Sequence, residues 1–154
     1  MSNNHITDFN NLNENQKDLF TVNIIKGLVM DGVRNANSGH PGGPMSLADF
    51  TYILYSEFLT IDPKNPDWEN RDRVVLSVGH TCMLIYSILY LCGILKMDDL
   101  KNFRKLGSLT PGHPEIETPG IDASTGPLGQ GVGMGIGVGV GVEVSVGVGV
   151  GASV

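Results

Sequence analysis

Three of the four histidines lie in segments rich in glycine and proline, where a side chain can be held against a ligand. His40 lies in Ser-Gly-His-Pro-Gly-Gly-Pro, His80 follows Val-Gly, and His113 lies in Thr-Pro-Gly-His-Pro-Glu. Histidine titrates near neutral pH, and binding groups are concentrated in loops on a rigid scaffold. The three imidazoles are therefore candidates for proton transfer, although three unrelated loop histidines would give the same pattern.

A second candidate is the sequence Gly-Pro-Leu-Gly-Gln-Gly at residues 126–131. A turn stiffened by glycine and proline can present backbone amides and carbonyls to a planar ligand. An ordinary turn is the alternative explanation. The dinucleotide fingerprint Gly-x-Gly-x-x-Gly is not met here, and the glycine-rich sequence that follows makes near matches trivial. A nucleotide site of that kind is therefore not predicted.

Composition narrows the class of protein. The 154 residues carry a formal net charge of -6 without a Lys/Arg cluster, which argues against a nucleic-acid partner. Cys82 and Cys92 lie in an apolar stretch, and their spacing matches no zinc-binding pattern. The sequence therefore predicts two reduced thiols and no metal site. The N-terminus is polar, and the apolar run 82–95 is shorter than the roughly 20 residues that span a bilayer. A cytoplasmic protein without a membrane partner is expected.

Two helices must position His40. Residues 16–37 carry one apolar stripe, which predicts a helix with these residues inside: Leu19, Val22, Ile25, Val29 and Val33. Prolines and glycines in 38–44 should end it. Ser46 and Asp49 resemble a capping box that opens a second helix. The inward-facing residues of that helix are predicted to be Leu47, Phe50, Leu54 and Phe58.

A buried strand should position His80. Residues 61–72 read as a loop, and the apolar run inside 73–77 suits a buried parallel strand with His80 at its carboxyl end. Helices are predicted at 81–91 and 98–106, followed by an irregular segment over 107–125. The predicted fold class is α/β, with an incomplete parallel sheet.

The amino-acid composition of the chain changes near Gly131, where glycine and valine begin to alternate. The predicted organisation is a polar tail at 1–15, a partial α/β domain at 16–130 and a Gly/Val-rich low-complexity tail at 131–154. Glycine and β-branched valine are both poor helix formers, and period-two alternation places valines on one face of an extended strand. The tail is therefore expected to be extended or disordered.

Five motifs, taken together, resemble those of transketolases in order and approximate spacing. They cover about residues 24–131 and are Ala-Asn-Ser-Gly-His-Pro-Gly at 36–42, Asn-Pro-Asp-Trp at 65–68 with Arg-Asp-Arg at 71–73, Leu-Ser at 76–77 with Gly-His at 79–80, Thr-Pro-Gly-His-Pro-Glu at 110–115, and the 126–131 sequence. The resemblance implies the first part of a thiamine-diphosphate-binding domain. It also implies transfer of a two-carbon ketol unit from a ketose phosphate to an aldose phosphate.

The resemblance also implies roles for particular residues. His40 is similar to the histidine that contacts the donor sugar and assists proton transfer. His113 is similar to the one that binds the donor's terminal hydroxyl and carbonyl end. His80, together with Gly126, Pro127 and Leu128, resembles the groups that contact thiamine diphosphate. Trp68 and the charged run at 71–73 are expected to support the structure.

The same resemblance implies Mg²⁺, sugar-phosphate substrates and a homodimer, but the chain departs from the family pattern. Val78 stands where transketolases often have asparagine. Asp and Asn are absent after Asp122, so no magnesium ligand set is predicted in the tail. A polypeptide of this sequence is expected to be inactive alone. Dihydroxyacetone synthase, or a non-catalytic fragment or subunit that needs a partner chain, remains an alternative.

Overall fold

Residues 8–147 are described by a computed structural model, and their regular elements are helices. The α-helices are α1 Glu14–Ala36, α2 Gly42–Ile53, α3 Met83–Leu91, α4 Met97–Lys101 and α5 Gln130–Gly147. A π-helical turn, Leu54–Phe58, continues α2, and short 3-10 turns lie at Phe9–Asn11 and Gly79–Thr81. Within this range no helix has the length and apolar character that crossing a membrane requires.

The predicted first helix is confirmed with small shifts of its ends. The Asn13 side chain accepts from the Gln16 amide at 2.9 Å, and the Gln16 side chain accepts from the Asn13 amide at 3.0 Å. This reciprocal cap starts α1 inside the predicted 1–15 tail, and left-handed Asn37 ends it. The stripe members Val22, Ile25 and Val29 are buried and Val33 packs against the core. Leu19 was predicted to be inside but is 61% exposed, because the stripe is covered only from the third turn onward, beginning at Val22.

Helix α2 begins at Gly42, earlier than the Ser46 capping box predicted. Pro44 lies in its first turn, where a missing N–H costs no helical hydrogen bond. The proposed box is wrong: the Ser46 hydroxyl donates to the Gly42 carbonyl at 2.9 Å, and Asp49 pairs with Lys26 at 2.7 Å. The chain can therefore enter α2 directly from His40.

The predicted inward face of α2 is also wrong. Phe50 and Phe58 are 65% and 72% exposed, and Leu47 lies at the surface. Ala48 is buried instead, and Tyr55 packs against the core. The π-helical turn changes the helical phase after Ile53, so Phe58 does not share the half-buried face of Leu54. The smaller side chain of Ala48 faces the neighbouring helices.

The core surrounds α3, whose residues 83–89 are all buried. They contact Val29 of α1 and, beyond α4, Phe103. The predicted 81–91 helix is thus confirmed, with its first residues in the 3-10 turn. Helix α4 is shorter than predicted, because the backbone of Arg104 turns to φ 63° and ends regular structure before Leu106. Residues 107–125 are irregular, as predicted.

The buried strand predicted at 73–77 is wrong, since no strand forms among residues 8–147 and this segment is half-buried. Side chains satisfy part of its backbone: Asp122 accepts from the Val74 amide at 2.8 Å, and the Thr125 hydroxyl donates to the Leu76 carbonyl at 2.7 Å. A strand needs a second extended segment beside it, and the described residues supply none. The parallel sheet of the predicted α/β class is therefore not confirmed within residues 8–147.

The Gly/Val segment is helical over α5, contrary to the extended or disordered tail expected. Residues 148–154 lie outside the described range. The alternation fits a helix because residues four apart share a face. Val132, Ile136 and Val140 are exposed, whereas Met134 and Val138 are half-buried. The apolar residues, which occur at every second position, therefore fall on two different faces of the helix.

Candidate active site

His40 and His80 form a pair at the start of α2. Their ring centroids are 5.0 Å apart with the planes at 72°, an edge-to-face arrangement. The absence of a side chain at Gly43 allows this pairing, because Gly43 packs directly against the residue that follows His80. A Cβ on Gly43 would lie 2.4 Å from Cγ2 of the buried Thr81. The close approach places the turn of His80 against the first turn of α2. His40 is exposed and His80 half-buried, so the pair can meet a ligand from solvent.

The turn at residues 126–128 lies next to His80. Gly79, the residue before His80, packs so closely on the main chain of Thr125 and Gly126 that a Cβ would be 2.8 Å from the Thr125 carbonyl oxygen. Gly126 and Leu128 make no backbone hydrogen bond to any described residue. Their peptide groups are therefore free to bind a ligand, and the Leu128 side chain is 71% exposed.

His113 completes the cluster on the far side of that turn. A Cβ added to Gly126 would lie 3.6 Å from Cδ2 of His113, which is ordinary van der Waals contact. The structure thus joins the predicted site residues through two contacts, His40 with His80 and His113 with Gly126. Pro127 and Leu128 extend from the same turn into solvent.

Two buried side chains of α3 and its cap hold the loop of His113. The Tyr86 hydroxyl lies 3.0 Å from the Pro111 carbonyl oxygen and 3.1 Å from that of His113. The Cys82 thiol donates to the Gly112 carbonyl at 3.2 Å. Burial raises the pKa of Cys82 to about 12 and raises the pKa of Tyr86 well above its usual range. Both therefore remain protonated donors at neutral pH.

A buried ion pair fixes the segment that leads into the 126–128 turn. Arg71 meets Asp122 with both guanidinium ends, at 2.5 and 3.1 Å, and both side chains are almost fully buried. The second Asp122 oxygen also accepts from the Val74 amide. Such bidentate pairs fix orientation as well as distance. The charged run at 71–73 has the supporting structural role that the sequence predicts.

The described residues fit a planar cofactor ring better than a metal ion. An open imidazole pair beside unpaired peptide groups suits a heterocycle with donors and acceptors. Magnesium prefers several oxygen ligands, but no cluster of three or more His, Cys, Asp or Glu side chains occurs within 8–147. A groove of about 490 Å³ lies elsewhere, between residues 71–77 and α5, and none of the three histidines lines it.

Comparison with known proteins decides the family. Residues 17–145 match the family described as "Transketolase, thiamine diphosphate binding domain". The chain belongs to the transketolase family. Transketolase 2 of Vibrio parahaemolyticus is 57% identical over 115 residues, which are 73% of this chain but 17% of that protein. The chain therefore spans about a sixth of the curated transketolases that it resembles.

Solved transketolases share the fold. A Pichia stipitis transketolase in complex with sedoheptulose-7-phosphate is 49% identical with a TM-score of 0.76, over 79% of this chain and 18% of that one. Transketolase from Campylobacter jejuni is 53% identical with a TM-score of 0.74, over 79% of this chain and 19% of that one. The helical part described here thus corresponds to part of a transketolase domain.

Sequence reasoning missed the residues that hold the site in place. Cys82 and Tyr86 look like ordinary core residues, and Asp122 is a single acid in an irregular segment. The one available signal is that Cys82 and Tyr86 are four residues apart, so a helix places both polar atoms on one face. The loop that they contact becomes visible only in the folded chain.

Proposed function

We propose that this chain carries the donor-side imidazoles of a transketolase, for transfer of a two-carbon ketol unit from a ketose phosphate to an aldose phosphate. The observation that carries the proposal is the juxtaposition of His40 with His80 and of His113 with Gly126. Family membership supports it, as does the sugar phosphate bound to the Pichia stipitis relative. Scattered loop histidines would not share one turn.

Thiamine diphosphate would be held by His80 and by Gly126, Pro127 and Leu128. When bound, the cofactor supplies the nucleophilic carbon that the side chains of proteins lack. The free peptide groups of Gly126 and Leu128 orient a polar ring, and the half-buried His80 limits its access to water. The close packing of Gly79 on Thr125 supports this proposal, because it keeps His80 beside the turn.

The remaining two histidines act on the sugar. Breaking the bond next to the ketose carbonyl requires removal of a proton from the neighbouring hydroxyl, and neutral His40 accepts it. Negative charge that develops on the carbonyl oxygen needs a donor, and an N–H of His113 provides one. Tyr86 and Cys82 keep His113 in place by binding its loop from beneath.

Other family properties are part of this proposal. Magnesium is expected for an intact transketolase, and residues 8–147 contain no cluster of three or more His, Cys, Asp or Glu side chains that could hold it. A homodimer and a cytoplasmic location are likewise expected. The location is supported by the two free cysteines, which fit a reducing compartment.

A chimera tests the function. Residues 1–130 of this chain would replace the matching part of Vibrio parahaemolyticus transketolase 2, which supplies the rest of the site. We expect the chimera to transfer ketol units between sugar phosphates. Changing His40 or His113 to Ala should lower kcat/KM by about 10²–10⁴-fold, the usual contribution of a group that accepts a proton or stabilises developing charge. Changing His80 to Ala should weaken the binding of thiamine diphosphate and lower activity at limiting cofactor.

The matched control is His5→Ala, which removes a histidine from the polar N-terminal tail. It should leave kcat/KM unchanged. A folded chimera without transferase activity would contradict the proposal, and so would full activity in all three site variants.

A further inference from the structure

Arg104 has an unusual backbone for a large side chain. Its φ of 63° is left-handed, a conformation that residues with a Cβ rarely adopt. Its amide donates to the Thr110 carbonyl at 2.9 Å, which folds the chain back toward the loop of His113. Such a conformation persists where the surrounding contacts enforce it.

The guanidinium of Arg104 touches the loops of two site histidines. Its Nη1 donates to the hydroxyl of Ser38, two residues before His40. Its other atoms lie against Gly112, the residue before His113, where a Cβ would be 2.9 Å from Nε. No other side chain described above contacts both loops.

The neighbouring residue makes a parallel contact. The ring of Phe103 lies where a Cβ on Gly39 would be 3.2 Å from Cε1, and it carries the Arg104 guanidinium 5.7 Å from its centroid. Phe103 is buried in the core. The Arg104 guanidinium therefore packs near the buried Phe103 ring and also contacts the loops of His40 and His113.

We propose that Arg104 is a positioning residue that couples the loop of His40 to the loop of His113. Its importance for catalysis rests on the proposed ketol transfer, but the coupling itself does not. A guanidinium is a planar fork that can bond Ser38 with one end while its face packs on Gly112. Among residues 8–147 the buried Nε has no hydrogen-bond partner, so packing on Gly112 contributes to its position alongside the Ser38 hydrogen bond.

Nuclear magnetic resonance of the whole 154-residue chain tests the coupling. Ser38→Ala removes the hydroxyl that Arg104 binds but touches no atom of the His113 loop. We expect Ser38→Ala to shift the imidazole signals of His113 as well as those of His40. Arg104→Gln should shift both sets further, and Arg104→Lys should restore the His113 signals only in part.

Non-additivity separates coupling from a general loss of structure. If Arg104 couples the two loops, the double variant Ser38→Ala/Arg104→Gln should show the same His113 shift as Arg104→Gln alone. The matched control is Lys105→Gln, since Lys105 bonds Asn102 at the surface and should leave both imidazoles unchanged. Because Ser38 is exposed, its variant keeps the fold even if Arg104→Gln does not.

Unchanged His113 signals in Ser38→Ala, with shifts confined to the His40 loop, would overturn the proposal. Shifts at His113 that simply add in the double variant would overturn it as well. The experiment uses no cofactor or substrate. Its failure would leave the activity of the chimera untouched, and an inactive chimera would leave the coupling untouched.

Discussion

A glycine precedes each of the three site histidines, and in every case a neighbouring group occupies the space that a side chain would fill. The three glycines are Gly39, Gly79 and Gly112. Their neighbours differ: the Val33 side chain with the Phe103 ring at Gly39, a peptide group at Gly79 and a guanidinium at Gly112. The motif Gly-His therefore does more than allow a turn. It lets another element lie directly behind the histidine and fix where the imidazole emerges.

The buried thiol behind His113 gives a pH dependence. Burial raises the pKa of Cys82 from 9.0 to about 12, so the unfolded chain loses this proton first as pH rises. The stabilisation is complete below pH 9, and unfolding free energy should fall above it by at most about 1.4 kcal/mol per pH unit. Cys82→Ser keeps a hydroxyl donor and should remove this part of the slope between pH 9 and pH 12, measured by urea unfolding.

Cys92→Ser is the control for that measurement. Burial raises the pKa of Cys92 as well, but its side chain is only half-buried, so the change in slope should be smaller. Tyrosines also titrate in this range, and they are common to all variants. If the unfolding free energy falls equally steeply with pH in the unchanged chain and in Cys82→Ser, the pKa of the Cys82 thiol is not raised by burial.

At the scale of elements, α5 shows that one pattern can satisfy two geometries. Alternating valines face one side of a strand, but on a helix they separate into two rows. What selects the helix is its anchored first turn. Gly131 lies so close to the main chain of Ser77 that a Cβ would be 2.4 Å from the Ser77 Cα, and the left-handed Gly129 directs the chain into that contact.

Two glycines of α5 should therefore respond in opposite ways to alanine. Gly137 has open space around it, so Gly137→Ala should raise helix content and stabilise the helix by up to about 1 kcal/mol. Gly131→Ala should lower stability by about 1–3 kcal/mol, because main chain cannot move aside as a flexible side chain can. Circular dichroism and urea unfolding measure both.

The pair of variants controls itself, since both exchange the same residue types within one helix. A loss of helix content in Gly137→Ala would mean that the segment is not helical in solution. Equal effects from both substitutions would mean that Gly131 does not pack on Ser77.

At the scale of the whole molecule, the chain corresponds to a small part of the transketolases that it resembles. It covers 17% of the length of Vibrio parahaemolyticus transketolase 2, yet within residues 8–147 it already brings His40 to His80 and His113 to Gly126. The apolar Phe50 and Phe58 remain exposed on α2. The contacts between these candidate site residues are therefore formed within residues 8–147.

A polypeptide of residues 1–154 should not bind thiamine diphosphate tightly. Contacts from His80 and the 126–128 turn amount to a few hydrogen bonds of about 0.5–1.5 kcal/mol each. A micromolar Kd requires about 8 kcal/mol. Calorimetric titration with cofactor and Mg²⁺ should show a Kd far above micromolar, and no ketol transfer. Micromolar binding would show that α5 or self-association supplies a diphosphate site.

The sequence by itself determined the family, the first helix, the α3 helix and the irregular 107–125 segment, and it named site residues that stay predictions. Those features depend on local patterns: spacing at three and four residues in α1, and short motifs around the histidines. The motif resemblance also led to the expectation that residues 71–73 support the structure, while their partner Asp122 became visible only in the folded chain.

Tertiary structure alone decided the rest, because it depends on what lies beside each segment. Residues 73–77 have the composition of a strand, but a strand needs a neighbour to pair with, and Asp122 and Thr125 take that place. Either Phe50 or Ala48 could belong to an apolar stripe on α2, and in the folded chain it is the smaller Ala48 that is buried. The Gly/Val alternation became a helix through the contact of Gly131 with Ser77. Arg104 gained its place between two histidine loops only when both loops folded around it.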